Sequence, residues 1–394
     1  MFDGFNSFPV GQKRILGWMI IGILMFPGML GQAHAALLEG VMSEWEELIA
    51  GKVAEKGEKL VTGNFYTAEK PNAHGPIGMM GEHTHDKGEF MFSYRYMHMF
   101  MEGTRNGTNS ISNAQARALV PTPGPPAVVP TSMLMEMHMF GFMYGLNDTV
   151  TLTAMVPYLR NTMNHEAGAT FATKFTTRSE GIGDIRFGSL WRLWAVEAPS
   201  IGAHRFHANF AVSVPTGDTE PRDKTPVSNP FATFRLPFPM HLGSGTYDLY
   251  PGFTYGGEKG RSSWGFQSIG TIRLGKNAQG FARGDAIQVT AFGAYEIIKK
   301  WLSGSVRFDF NHWDDHRGTD PGITGQAGPP VQTAIPTRLG GERLDVLGGI
   351  NLLLPEFMGF ETRLAVEGGV PIYQWLQGQL ETDSIVTFGW QGVY

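Results

Sequence analysis

The sequence predicts an all-β protein: an antiparallel transmembrane β-barrel of about twelve strands with a short N-terminal helical or irregular segment. Three observations lead to this prediction. From about residue 89 to Tyr394, apolar and polar residues alternate with a period of two in one segment after another. Most of these segments are long enough for a tilted strand to cross a bilayer. The connectors alternate between long and short, as they do at the two rims of an outer-membrane barrel.

Each segment of alternating polarity is predicted to form one strand. An even strand number, with both chain ends at one rim, agrees with bacterial barrels. The longest connectors are rich in Gly, Pro, Thr and Asn and are expected to be outer loops; they span residues 103–131, 161–182, 215–243 and 314–340. The predicted strands span residues 89–102, 132–145, 149–160, 183–195, 202–214, 244–256, 263–275, 285–298, 301–313, 341–353, 360–374 and 382–394.

The N-terminus resembles an export signal. Lys13 and Arg14 precede an apolar stretch over residues 15–30, and the small residues Ala33 and Ala35, with one residue between them, fit a cleavage site. The apolar stretch is shorter than the roughly 20 residues that a membrane-spanning helix needs. We therefore expect residues 1–35 to be a signal peptide.

The segment between this signal and the barrel is expected to differ from both. Apolar residues recur at helical spacing between Leu37 and Lys59, and an irregular stretch rich in Gly, Pro and Met follows. We expect residues 36–82 to form either a periplasmic segment or a plug in the barrel. Residues 83–394 are expected to form the outer-membrane barrel.

The two faces of the predicted strands differ in polarity. Lipid outside and water inside require apolar residues outward and polar residues inward, whereas a soluble barrel would have an apolar interior. Arg95, Arg205 and Arg307 fall on the polar faces and are expected to line the lumen. Inward charges of opposite sign are expected to pair, as Arg307 with Asp309, Arg343 with Asp345, Asp184 with Arg186, and Glu361 with Arg363.

Twenty methionines are many for 394 residues, and they cluster in the first two predicted strands. Pairing of these strands in register places the methionines on one face, opposite an aromatic face, because a slip by one residue would reverse a whole strand. We expect this stripe to face the lumen. It comprises Met97, Met99, Met101, Met133, Met135, Met137 and Met139.

Three interpretations of the methionine stripe remain open. Flexible, polarizable thioethers can form an adaptable path for hydrophobic or aromatic molecules. Thioethers also favour Cu(I), so His83 and His85 with Met97 and Met135 could form a copper site, and copper is the one cofactor that the sequence suggests. The third interpretation is that methionine is apolar filler.

Several functions are disfavoured by composition. The net charge is −5 with no basic cluster, so no nucleic-acid partner is expected. Cysteine is absent, which excludes disulfides and thiolate metal sites. The sequence has no phosphate-binding loop and no zinc-protease His pair, and no outward Ser lies close beside the outward His98 and His138. We therefore expect the protein not to be an enzyme.

The last predicted strand carries aromatic residues on one face, namely Phe388, Trp390 and Tyr394. This pattern is similar to the C-terminal signal that the outer-membrane assembly machinery reads. The expected partners are therefore this machinery and outer-membrane lipid, and the expected location is the bacterial outer membrane.

Four Gly-rich segments resemble the phenol-degradation meta-pathway family of outer-membrane transporters. They lie at residues 87–96, 181–184, 214–218 and 243–248, and the resemblance covers about residues 88–394. It implies a barrel that passes small hydrophobic or aromatic solutes across the outer membrane, and it supplies no catalytic residues. The alternative function is copper binding or transport through the methionine-rich hairpin.

Overall fold

The described residues of the computed structural model are 32–63, 70–120, 128–168, 170–225, 233–324, 331–357 and 359–394. Most of the predicted signal peptide, residues 1–31, lies outside them. The chain divides into two compact units. The first contains residues 1–65 and 194–205, and the second contains residues 66–193 and 206–394.

The first unit contains the helix α1, Gln32–Ala54, and a two-residue strand β1, Val61–Thr62. β1 pairs antiparallel with Val196 and Glu197. The backbone N–H of Ser200 donates a hydrogen bond to the carboxylate of Glu58 at 2.9 Å. A short N-terminal helix was predicted, and it is present. Among the described residues, no helix has the length and apolar character needed to cross a membrane.

The second unit is built from antiparallel strands with short helices in the connectors. Two strands, β7 and β8, continue into the first unit. The elements are β2 Phe90–Gly107, β3 Asn109–Ile111, α2 Asn113–Ala118, β4 Val128–Gly145, β5 Val150–Ala167, β6 Thr173–Ile182, β7 Ile185–Ala198, β8 Gly202–Val214, β9 Arg222–Lys224, β10 Thr233–Arg235, β11 Tyr247–Lys259, β12 Ser262–Leu274, β13 Phe281–Ala282, β14 Ala286–Ile298, β15 Leu302–Trp313, β16 Arg317–Gly318, α3 Pro321–Thr324, β17 Gly341–Phe357 and β18 Phe360–Val393.

The long strands close into a barrel. Neighbouring strands follow the order β7-β8-β11-β12-β14-β15-β17-β18-β2-β4-β5. The last strand of this order, β5, pairs with the first, β7, and so closes the barrel. The last element, β18, has 34 residues and would be about 110 Å long if straight. Its two ends instead meet, because the rings of Phe360 and Tyr394 are 5.5 Å apart. β18 is therefore a hairpin that pairs with β17 and then with β2, so the barrel wall has twelve crossings, as predicted.

The barrel is polar inside and apolar outside. Arg95 is 5% exposed, whereas Phe140 on the opposite face of the neighbouring strand is 55% exposed. The same contrast holds around the wall, with buried Thr254, Gln267 and Asn351 and exposed aromatic and aliphatic side chains. This polarity is that of a membrane-spanning barrel. The predicted fold class is confirmed.

One predicted loop is wrong. Residues 161–182 were expected to connect two strands, but β5 continues to Ala167 and β6 returns from Thr173. This hairpin carries Asn, Thr and charged residues on both faces. Alternation of polarity is imposed by lipid on one face, so it fades where a strand extends beyond the membrane.

Candidate functional site

The lumen of the barrel is occupied by residues 70–86, named here the lumen segment. Its polar backbone groups are satisfied by inward side chains of the wall rather than by a helix or sheet of its own. Side chains of the wall bind the carbonyl oxygens of Pro71, Asn72, Gly75, Ile77, Met79, Met80 and Gly81.

Arginine and glutamate side chains hold the centre of the lumen segment. Arg95 Nε donates to the carbonyl of Ile77 at 2.9 Å. The backbone N–H of Gly78 donates to Glu367 Oε2 at 3.1 Å. Glu367 also accepts two hydrogen bonds from Arg307, at 2.8 and 2.9 Å, and both side chains are buried. The Arg307–Glu367 pair therefore joins two strands of the wall to the lumen segment.

The close approach at this point requires glycine. A Cβ atom at Gly78 would collide with the side chains of Arg307 and Glu367. On the other half of the β18 hairpin, a Cβ atom at Gly389 would collide with the side chain of Ile77. Two glycines thus allow the segment to lie against the wall with little free space.

A buried cluster of charged and imidazole groups follows in the lumen segment. Glu82 lies 3.0 Å from His83 and 3.7 Å from Arg363. Burial favours the protonated carboxyl, but His83 and Arg363 outweigh this effect and hold the pKa of Glu82 below its ordinary value. The ring of His83 is 4.8 Å from that of His85. These contacts fix the lower end of the segment.

Two cavities flank the lumen segment. The first, named the arginine cavity, has a volume of about 190 Å³ and is lined by Arg95 and Arg186 together with Met91, Met143 and Met155. The second, named the methionine cavity, has a volume of about 180 Å³ and is lined by Met97, Met99 and Met139 opposite Arg307 and Asp309. Gly78 and Met80 lie between them, since they line both.

The methionines of the predicted stripe occupy two different environments along the barrel axis. Met97, Met99 and Met139 line the methionine cavity. Higher up, Met101, Met133 and Met135 pack with Met163, Leu236, Met240 and Leu380. Met137 pairs with Met97 in register and is partly buried. The upper methionines therefore form an apolar layer beneath a loop that folds over the outer end.

The predicted lumenal arginines occupy different environments. Arg95 binds the lumen segment directly, and Arg307 binds Glu367 of the barrel wall. Arg205 is partly buried and belongs to the first compact unit. Two predicted ion pairs are confirmed, since Arg307 lies 3.4 Å from Asp309 and Arg343 lies 2.9 Å from Asp345.

The predicted pair of Asp184 with Arg186 is wrong. The Asp184 carboxylate instead accepts hydrogen bonds from the backbone N–H groups of Gly217 and Ser244, at 2.9 and 2.7 Å. Asp184 lies at the break between β6 and β7, where its side chain turns to the following loops. The Arg186 guanidinium carbon lies 3.6 Å from the ring centroid of Tyr250.

The outer end is closed by loops that have their own hydrophobic core. These loops are named here the outer cap, and its hydrophobic core consists of Phe238, Phe281, Ile323, Val331, Ala334 and Leu339. Arg235 pairs with Asp320 at 2.5 Å. His316 stacks on Phe281 with an interplanar angle of 10°. Burial and the neighbouring Arg283 lower the pKa of His241 to about 3, and burial also lowers the pKa of His316.

The geometry does not favour the copper site suggested by the sequence. The backbone N–H of His85 donates to Thr151, which pairs with Gly145. Met135 lies ten residues from Gly145 on the same strand, which corresponds to about 33 Å. Met135 therefore cannot share an ion with His85. Within the described ranges, no group of three or more His, Asp or Glu side chains is arranged to hold a metal.

Sequence reasoning missed the residues that bind the lumen segment. Alternation placed Arg363 and Glu367 on the inner face, but it predicted Glu361 as the partner of Arg363 and no partner for Glu367. It did not predict the contacts of Arg363 with Gly75 and Glu82. The polar side chains of Asn209, Gln267 and Ser303 carried no distinguishing signal. The one available signal was that consecutive strands place polar residues on the inner face. This pattern is compatible with a polar chain segment inside the barrel.

Comparison with known proteins supports the fold. No family model matches the sequence, and no curated protein matches it. The structure is similar to that of the COG4313 outer membrane channel from Pseudomonas putida F1, with a TM-score of 0.53 and 10% sequence identity over 81% of this chain and 100% of that one. The chain has the fold of an outer-membrane channel. The location predicted from the sequence, the bacterial outer membrane, is the membrane in which barrels of this kind occur.

Two other similar structures have lower scores. A FadL homologue from Pseudomonas aeruginosa gives a TM-score of 0.36 at 10% identity, covering 85% of this chain and 98% of that one. OccK7 (OpdD) from the same species gives 0.27 at 7% identity, covering 78% and 98%. Neither score is high enough to add to the argument.

Proposed function

We propose that the protein is an outer-membrane channel for small hydrophobic or aromatic solutes, and that the lumen segment closes it at rest. The observation that carries the proposal is the position of Gly78 and Met80 between two cavities with methionine walls. A solute that passes along the barrel must displace this segment. Outer-membrane lipid surrounds the wall, and no catalytic role is assigned to any residue.

The solute class follows from the walls of the two cavities. Met97, Met99 and Leu347 contribute apolar surface to the methionine cavity, and Asp309 and Arg343 contribute polar surface. Thioether side chains are flexible and make favourable contacts with aromatic rings. This combination suits a small molecule with an apolar body better than a sugar, which needs hydrogen bonds on all sides.

The proposal is tested by current recordings on the purified protein in planar bilayers. Solutes that enter the lumen interrupt the ionic current. We expect phenol and toluene to cause interruptions, whereas arabinose, a polar solute of similar size, causes few. Equal interruptions by arabinose would indicate a general porin and contradict the proposed solute class.

A further inference from the structure

We propose that the arginine cavity binds a small aromatic carboxylate, with the carboxylate on Arg186 and the ring against the methionines. The inference rests on the proposed function and narrows its solute class. The charge of the cavity is the first supporting observation, because its lining includes Arg95 and Arg186 but neither Asp nor Glu. The methionine cavity differs, because Asp309 and Asp345 lie in its wall.

Arg186 is set apart from the other lumenal arginines by what it contacts. Arg307 and Arg343 have carboxylate partners, and Arg95 donates to backbone carbonyls. Arg186 stacks on Tyr250, and among the described residues no carboxylate lies within ion-pair distance of it. Its Nε is buried and has no hydrogen-bond partner there. A buried guanidinium donor without an acceptor is costly unless a ligand supplies one.

The stacking on Tyr250 also orients the guanidinium. The planar group presents its N–H donors in a fixed fork, which matches the two oxygens of a carboxylate. The neighbouring cation Arg95 adds positive potential, and charges inside a protein interact more strongly than charges in water. An anion is therefore favoured over a neutral group at this position.

The rest of the cavity suits an aromatic ring. Met91, Met143 and Met155 line it together with Leu190 and Ile269. Contacts between thioether sulfur and aromatic ring edges are favourable. A cavity of about 150 Å³ is known to hold benzene, so the volume of about 190 Å³ accommodates a single ring with one carboxylate.

The test measures binding of benzoate to the purified full chain in detergent by titration calorimetry, with benzamide as the neutral ligand of the same shape. We expect benzoate to bind at least tenfold more tightly than benzamide. Arg186→Met should abolish this preference while leaving benzamide binding unchanged. Arg160→Met, which removes an exposed arginine paired with Glu180 on the outer face, is the matched control and should behave like the wild type.

Two results would overturn the inference: equal affinity for benzoate and benzamide in the wild type, or an unchanged preference in folded Arg186→Met. The wild-type comparison needs no variant, so a folding defect in Arg186→Met does not prevent the test. Binding is measured without transport. Loss of the benzoate preference with retained current interruption by toluene would contradict only this inference, whereas benzoate binding without any current would contradict only the proposed channel.

Discussion

The carboxylate of Glu367 accepts a hydrogen bond from the backbone N–H of Gly78 at 3.1 Å, inside the barrel. The same carboxylate is held by two hydrogen bonds from Arg307. Because Gly78 lies between the two cavities, this relationship joins the barrel wall to the part of the lumen segment that obstructs the path.

Replacing Glu367 with glutamine is expected to loosen the lumen segment. The amide keeps the shape of the carboxylate but leaves Arg307 without its main counter-charge, and breaking a buried ion pair typically costs about 3–5 kcal/mol. We expect more frequent channel openings in planar bilayers. Glu180→Gln, on an exposed outward glutamate, is the matched control. The same closed-state current in Glu367→Gln and the control would show that the pair does not hold the segment.

Gly78→Ala is expected to have a similar effect for a steric reason. The added methyl group would collide with Arg307 and Glu367, whereas a methyl group at Gly293 meets no atom within 4 Å. We expect raised conductance for Gly78→Ala and wild-type conductance for Gly293→Ala. Wild-type conductance for both would mean that the segment has room to adjust.

A fourfold replacement of methionine by leucine separates the interpretations of the methionine stripe. The replaced residues are Met97, Met99, Met135 and Met137. The exchange keeps apolar volume and removes sulfur, and such swaps are well tolerated in cores. We expect toluene-dependent current interruptions to stay within about twofold of the wild type. If copper binding is measurable in the wild type and survives the exchange, the stripe is not a copper site.

The outer cap is expected to loosen as the pH falls. The pKa of buried His241 is lowered to about 3, so the open cap takes up a proton below about pH 6.5 while the closed cap does not. The closed state therefore loses up to about 1.4 kcal/mol per buried histidine for each pH unit below 6.5. Arg283 and Arg235 face His241, and Arg283 and Arg273 face His316, and their repulsion contributes to the lowered pKa values of the two histidines.

The measurement is hydrogen exchange of residues 236–244 and 331–340 at pH 7.5 and 5, corrected for intrinsic rates. We expect weaker protection at pH 5. Combined His241→Gln and His316→Gln substitution should reduce this difference, whereas His312→Gln, at a half-exposed histidine, should leave it unchanged. Protection that rises on acidification would contradict the assignment.

The sequence predicted the barrel well because lipid imposes a simple rule on every crossing strand. Alternation placed Arg95, Arg307 and the methionines on the inner face. It did not predict the β5–β6 hairpin, because the buried face of that extension packs against a loop instead of lipid and carries polar residues such as Asn161, Thr177 and Ser179. Nor could it pair Asp184, whose partners lie on a loop far along the chain.

The interior arrangement was beyond sequence reasoning for a related reason. Residues 70–86 carry no periodic pattern, because their backbone is bound one group at a time by side chains from separate strands. The division of the methionine stripe into cavity wall and apolar layer depends on Leu236 and Met240, which belong to a loop with no such signal. These relationships exist only once the barrel has closed.

The most direct test of the central claim is a disulfide tether between the lumen segment and the wall, through the double substitution Ile77→Cys and Gly389→Cys. The side chain of Ile77 lies directly against the backbone of Gly389, and the chain has no cysteine of its own. Single-channel current is recorded before and after reduction, with the wild type as the control for the reductant. If the lumen segment closes the channel, the oxidised protein gives no openings and reduction restores them. Equal conductance in the oxidised and reduced states would contradict the account.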